Sequence, residues 1–186
     1  MRNLPTITLE RLQLRPFQLH DADSVQQLAG DPYIAEMTLY IPHPYKDGMA
    51  EEWICTHQDQ FIEGKSVTLA IVHTEESYLI GAMTIALHTK FNHGELAYWI
   101  GVPFMNNGYC TEAARGMMAY AFDELKLNRV YARHLGKNPA SGKVMEKLGM
   151  KFEGCLRQHV IKGDTYEDLA YYGLLQDEYL AERRSV

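Results

Sequence analysis

The chain has 186 residues, 46% of them apolar and 23% charged, values ordinary for a soluble globular protein large enough to bury a full core. A formal net charge of −6 argues against a nucleic-acid partner, since that binding rests on neutralising phosphates with Lys and Arg. The longest apolar run, Tyr78 to Leu87, is about half a membrane span, and the opening Met1-Arg2-Asn3-Leu4-Pro5-Thr6 lacks a hydrophobic signal core, so a cytoplasmic protein with no membrane partner is expected.

In chain order, Ile7 to Phe17 alternates around Leu9, Leu12 and Leu14 and predicts a first strand. Asp21 can cap a helix from Ala22 to about Ala29, with Val25 and Leu28 on its apolar face. Asp31-Pro32 ends that helix, because a residue before proline disfavours helical backbone. Pro42, Pro44 and Asp47-Gly48 mark a loop. Met49 to Glu63 then predicts a helix through Met49, Trp53, Ile54, Phe61 and Ile62. Val67–Val72 and Leu79–Leu87 read as paired strands, and Glu95–Val102 as another. Cys110 to Leu125 is helical in pattern, and Val130 to His134 is a strand. Asn138 suits an N-cap, Pro139 the first helical position and Gly149 the C-terminal cap. Phe152–Ile161 and Tyr166–Leu175 form a hairpin around Lys162-Gly163-Asp164.

No repeat or linker interrupts this order, so one domain over residues 1–186 is expected. The succession β-α-α-β-β-β-α-β-α-β-β predicts an α/β (α+β) architecture, a mixed sheet with helices on both faces. Cys55, Cys110 and Cys155 are odd in number and unclustered, which argues against disulfides or a zinc site. The eight histidines show no metal-ligand pairing, so no metal is expected.

The segment Met105-Asn106-Asn107-Gly108-Tyr109-Cys110-Thr111-Glu112 breaks a strand and opens a helix. Such a turn offers free backbone N–H groups to an anion. Gly108 is not followed by Lys-Ser/Thr, so a Walker loop is excluded, and a dinucleotide fingerprint needs three spaced glycines where only Gly108 is present. The pattern x-x-x-Gly-x-Gly/Ala of an acyl-CoA pyrophosphate cradle fits better.

With this cradle the chain resembles the GNAT N-acetyltransferases, in particular the branch of ribosomal-protein N-terminal acetyltransferases (RimJ/RimL-like). The resemblance rests on Leu9-Glu10-Arg11-Leu12-Gln13-Leu14-Arg15-Pro16, Ala29-Gly30-Asp31-Pro32, Ile41-Pro42-His43-Pro44-Tyr45 and Gly94-Glu95-Leu96-Ala97-Tyr98-Trp99-Ile100-Gly101. The cradle and Asn138-x-x-Ser141-x-x-x-x-Glu146-Lys147-Leu148-Gly149 complete it, in matching order and spacing. It implies a mostly antiparallel sheet that splays between two neighbouring parallel strands and holds acetyl-CoA there. A homodimer is compatible with the same resemblance.

The resemblance assigns the residues as follows. The backbone of Ile100 and Val102 pairs with the pantetheine arm, and Gly101-Val102-Pro103 allows a bulge, since proline cannot donate to a ladder. Asn107, Gly108, Tyr109, Cys110 and Thr111 wrap the pyrophosphate. Met105 stands where Gln or Arg is common, and Cys110 where Gly or Ala is usual. A helix N-terminus favours a lowered thiol pKa, and alkylation of Cys110 is expected to block cofactor binding. Asn138 caps its helix and hydrogen-bonds the pantetheine chain. Many relatives place an acid tyrosine at the position of Met145, which cannot donate a proton. Ser141 takes over the leaving thiolate. Glu95 accepts the amine proton or binds an ammonium, or is a surface charge. Glu36, Tyr40 and His43 lie on the acceptor side, where His43 could act as a base or be structural. Asp168 reads as structural or acceptor-facing.

The implied reaction is direct attack of a primary amine on acetyl-CoA in a ternary complex. A protein N-terminal α-amine leads among acceptors, since its lower pKa needs less help from a base. A small amine (polyamine, amino acid or aminoglycoside) and a non-catalytic CoA-binding module are the alternatives.

Overall fold

The computed structural model describes residues 3–184, so Met1 and Arg2 of the opening segment, and both extremes of the expected 1–186 span, lie outside the described residues. In chain order the elements are β1 (Ile7–Thr8), β2 (Leu12–Arg15), α1 (Ala22–Ala29), α2 (Pro32–Met37), α3 (Met49–Cys55), α4 (His57–Ile62), β3 (Ser66–His73), β4 (Leu79–His88), β5 (His93–Ile100), α5 (Tyr109–Ala119), β6 (Arg129–Leu135), α6 (Pro139–Lys147), β7 (Lys151–Lys162), β8 (Thr165–Leu175) and α7 (Gln176–Arg184).

The strands form one sheet in the order β1-β2-β3-β4-β5-β6-β8-β7. Neighbours are antiparallel except β5 and β6. Those two pair only from His93↔Arg129 to Leu96↔Ala132, although β5 runs on to Ile100 and β6 to Leu135. The sheet therefore splays beyond Leu96 and Ala132.

Alternation along the strands builds two cores. Val67, Leu69, Ile71, Leu96 and Ile100 face α5, the helical turn Tyr120–Glu124 that follows it, and α6, where Met117, Met118, Phe122 and Met145 pack against them. Ala70, Val72, Ala82 and Trp99 face the other way, against Ala22, Val25 and Ala29 of α1 and Ala50 and Ile54 of α3. Helices thus cover both faces, as the element order predicts. Burial of this apolar surface is the main force holding the sheet between its two helical layers.

Four local expectations change. The first strand is a tight hairpin: β1 and β2 pair with Ile7 opposite Leu14, and the Leu9 N–H donates to the Leu12 carbonyl at 2.8 Å. Asp31-Pro32 does end α1, but it also starts α2, because the Asp31 carboxylate accepts from the Tyr33 N–H at 2.8 Å and Pro32 occupies the first turn. The helix expected from Met49 to Glu63 divides at Thr56, whose hydroxyl donates to the Trp53 carbonyl at 2.7 Å. Beyond the hairpin comes the unexpected α7, fixed by stacking of Tyr179 on Phe122 at 4.7 Å and by an Arg183–Asp123 ion pair at 2.7 Å.

Candidate active site

A cavity of about 620 Å³ occupies the splay between β5 and β6. One part of its wall is Tyr98, Ile100, Met105 and Gly108 to Thr111; another is Tyr33, Met37, Tyr40 and Trp53; Glu95, Arg133, Asn138 and Ser141 complete it.

The free edge of β5 follows from its register. The Gly101 N–H donates to the Ile80 carbonyl at 2.8 Å, and Trp99 lies opposite Ala82, so the odd-numbered residues use their backbone groups on β4. The N–H and C=O of Tyr98 and Ile100 consequently face the splay. Ile100 lies on this free edge together with Tyr98, which sequence reasoning passed over. Val102 does not continue this edge. It opens a short 3₁₀ turn, its carbonyl accepts from the Met105 N–H at 3.3 Å, and it lies outside the cavity wall.

The turn after β5 carries two left-handed residues, Asn106 at φ +64° and Gly108 at φ +79°. They direct the chain into α5, whose first-turn N–H groups have no partner within the helix. Gly108, Tyr109, Cys110 and Thr111 line the cavity there. Asn107 does not; its amide donates to the Phe104 and Met105 carbonyls at 3.2 and 3.0 Å and closes the turn on itself. Arg11 braces the same turn from the β1–β2 hairpin. Its guanidinium donates to the Asn107 carbonyl at 3.0 Å and to Glu112 at 2.8 Å, and lies 4.8 Å from the Tyr109 ring centroid. The expected lowering of the Cys110 pKa is not found. Burial pushes that thiol up to about 12, outweighing any effect of the helix end.

At the start of α6 the Asn138 carboxamide oxygen accepts from the Ser141 N–H at 3.2 Å, and its NH₂ donates to the Met37 carbonyl at 3.0 Å. The residue is thus a cap and a tie between α6 and α2. The Ser141 hydroxyl lies 3.0 Å from the Tyr98 hydroxyl, which is also 3.0 Å from the Ser141 carbonyl. Burial pushes the Tyr98 phenol far above its ordinary pKa, with Cys110 adding to the shift and Ser141 opposing it. Met145 is 1% exposed and belongs to the core.

Glu95 is doubly engaged. Arg133 Nε donates to it at 2.7 Å and the Tyr131 hydroxyl at 3.0 Å. Arg133 also donates to the Tyr40 hydroxyl at 3.3 Å, which ties the α2–α3 loop to the cleft. Burial opposes the Arg133 charge, but Glu95, Tyr171 and Tyr40 together more than offset it and the net pKa is raised. Burial and the adjacent Glu95 charge push Tyr131 up to about 12. Glu36 and His43 are not brought to the cavity. Glu36 is absent from the cavity wall and sits 3.8 Å from Lys137, and His43 is solvent-exposed. The Asp168 carboxylate accepts from the Gln158 N–H at 2.8 Å within the β7–β8 bulge. Among the described residues, no cluster of three His, Cys, Asp or Glu side chains could hold a metal ion. No helix among them is long and apolar enough to cross a membrane.

Two parallel strands parting around a cleft, with an exposed strand edge and a glycine-opened helix N-terminus in its wall, are the fold and site of an acyltransferase. Residues 11–151 match the family model of the acetyltransferase (GNAT) domain, and the chain belongs to that family. It is an acetyl-CoA-dependent N-acetyltransferase. It is 30% identical to the uncharacterized N-acetyltransferase p20 of Bacillus licheniformis, over 95% of this chain and 99% of that one. The ribosomal-protein-serine acetyltransferase of Escherichia coli (strain K12) is 26% identical over 55% of this chain and 58% of its own length. A GNAT-family acetyltransferase structure from Bacillus anthracis superposes with a TM-score of 0.82 at 25% identity, covering 94% of this chain and 100% of that one.

Proposed function

We propose that this enzyme acetylates a protein N-terminal α-amine, in the manner of the RimJ/RimL-like branch, as a single cytoplasmic domain. The carrying observation is the charge of the cleft. Among the described residues lining it, Glu95 is the one carboxylate, and it is already paired with Arg133 at 2.7 Å. A polyamine keeps further positive charges beyond the reacting amine, and they would find no free carboxylate on this wall. An α-amine brings one charge, which it must lose before attack, and its pKa lies nearest to neutrality.

Bound acetyl-CoA supplies the activated acyl group. The chain's own residues do the rest. The edge of Tyr98 and Ile100 offers a strand-like partner to the pantetheine arm, and the first turn of α5 faces the diphosphate. Asn138 keeps the start of α6 against α2, beside that arm. Glu95 orients the incoming ammonium and receives its proton directly or through water. The Ser141 hydroxyl donates a hydrogen bond to the departing sulfur. Tyr40 and the aromatic wall of Tyr33 and Trp53 receive the acceptor's first side chains.

The test is acetyl transfer from acetyl-CoA to a panel of N-terminal peptides, polyamines, amino acids and aminoglycosides, read by product mass. Acetylated peptide α-amines support the reading. Turnover restricted to polyamines or another small amine overturns it. Ser141→Ala should lower turnover more than acetyl-CoA affinity, and unchanged turnover would remove Ser141 from the mechanism.

A further inference from the structure

The Tyr98 phenol projects from the unpaired stretch of β5 toward the first turn of α6. Its oxygen is 3.0 Å from the Ser141 hydroxyl and 3.0 Å from the Ser141 carbonyl. A phenol has one proton and here has two acceptors in reach, both on the same serine. The serine backbone is independently held, since its N–H is taken by the Asn138 carboxamide oxygen at 3.2 Å. What remains free at Ser141 is the rotation of its side chain and the direction of its O–H.

We propose that Tyr98 is a positioning residue that sets the Ser141 hydroxyl for hydrogen-bond donation to the leaving sulfur. With the phenol proton directed at Ser141 Oγ, that oxygen is an acceptor on one side, and its own proton is left to point into the cavity. When the thioester carbon–sulfur bond breaks, the electron pair stays on sulfur and Ser141 stabilises it by a hydrogen bond. The polarised O–H of Tyr98 in turn stabilises the growing negative character on Ser141 Oγ. No bond to Tyr98 forms or breaks. With the phenol proton on the carbonyl instead, the Ser141 proton can rest on the Tyr98 oxygen, a closed arrangement available without substrate. Burial holds Tyr98 far above its ordinary pKa, so the phenol keeps its proton throughout the working pH range. Cys110, also in the cavity wall and itself pushed up to about 12, does not compete as an ionised acceptor.

The inference rests on the reading of Ser141 given above, and a double-mutant cycle separates the two. In the full chain, Tyr98→Phe should lower kcat roughly five- to fiftyfold while the acetyl-CoA dissociation constant moves less than about threefold. In the Ser141→Ala background, Tyr98→Phe should cost almost nothing further. Equal losses from Tyr98→Phe in both backgrounds would show that the phenol acts by packing alone, and full turnover of Tyr98→Phe would likewise overturn the proposal. Full turnover of Ser141→Ala would instead indict the role of Ser141 itself. A fluorotyrosine at position 98 changes the acidity of the O–H and preserves the ring. It should alter kcat in the parent enzyme and leave Ser141→Ala unmoved. Identical kcat with and without fluorine in the parent would sink the idea even if Tyr98→Phe folded poorly.

Discussion

The Glu95 carboxylate and the Arg133 guanidinium meet at 2.7 Å in the wall of the cleft, each side chain only 17% exposed. They stand on the two parallel strands just where pairing ends, so the ion pair closes the base of the splay. Arg133→Leu leaves Glu95 with a hydrogen bond from Tyr131 alone. We expect a loss of stability on the order of 2 kcal/mol, reduced from the value for a fully buried pair by the residual exposure. Glu95→Gln should keep acetyl-CoA affinity and lower kcat/KM for the amine about tenfold or more. Thermal unfolding and steady-state kinetics check both; an unchanged kcat/KM in Glu95→Gln removes the carboxylate from amine handling.

Arg11 supplies the cation that the cradle lacks within its own run. Arg11→Ala should loosen the turn at Asn107 and weaken acetyl-CoA binding roughly three- to tenfold, with little change in KM for the amine. Arg11→Lys should restore only part of it, because an ammonium cannot reproduce the planar fork shared between Asn107 and Glu112. Titration calorimetry of acetyl-CoA decides; equal affinity across the three proteins would refute the bracing role.

The raised pKa of Cys110, about 12, sets its reactivity. At pH 8 its thiolate should be on the order of one part in ten thousand. Cys55 and Cys155 are exposed. Iodoacetamide should therefore modify those two first and spare Cys110, as peptide masses over time would record. Rapid modification of Cys110 would mean that burial does not govern it.

His57 packs between Phe17 and Trp53 and is 3% exposed, and neither ring nitrogen has a hydrogen-bond partner among the described residues. Burial lowers its pKa from 6.5 to about 4. Between those values the unfolded chain takes up a proton that the folded chain refuses. Stability should thus fall as pH drops from about 6.5 toward about 4, by an amount on the order of 2–3 kcal/mol. Urea unfolding of the parent and of His57→Leu at pH 7 and pH 5 isolates the effect. Parallel pH profiles of the two proteins would exclude it.

Much of the fold was legible because periodicity and caps act over a few residues. The apolar runs Val67–Val72 and Leu79–Leu87, and the run Asn138-Pro139 to Gly149, correspond to β3, β4 and α6. Three misses have plain causes. Asp31-Pro32 is equally a stop and a start, and the sequence offers no local sign of which use applies. The break between β1 and β2 depends on Arg11, whose backbone N–H donates to Glu112 at 2.8 Å and whose carbonyl accepts from Thr74 at 2.9 Å, partners far along the chain. The polar helix α7 has little apolar periodicity to reveal it, and it is held by contacts to Phe122 and Asp123.

By itself the sequence determined the succession β3-β4-β5-α5-β6-α6-β7-β8, the glycine-containing turn that opens α5, and the capped start of α6. These are local consequences of backbone sterics and of hydrogen bonds within one turn. Only the tertiary structure decided which side chains meet. The register of β5 sends Tyr98 to Ser141 and its parallel pairing with β6 brings Glu95 to Arg133, while Glu36 is drawn to Lys137 outside the cavity wall. Such meetings depend on how distant strands align and which face each residue takes, and no short stretch of chain contains that information.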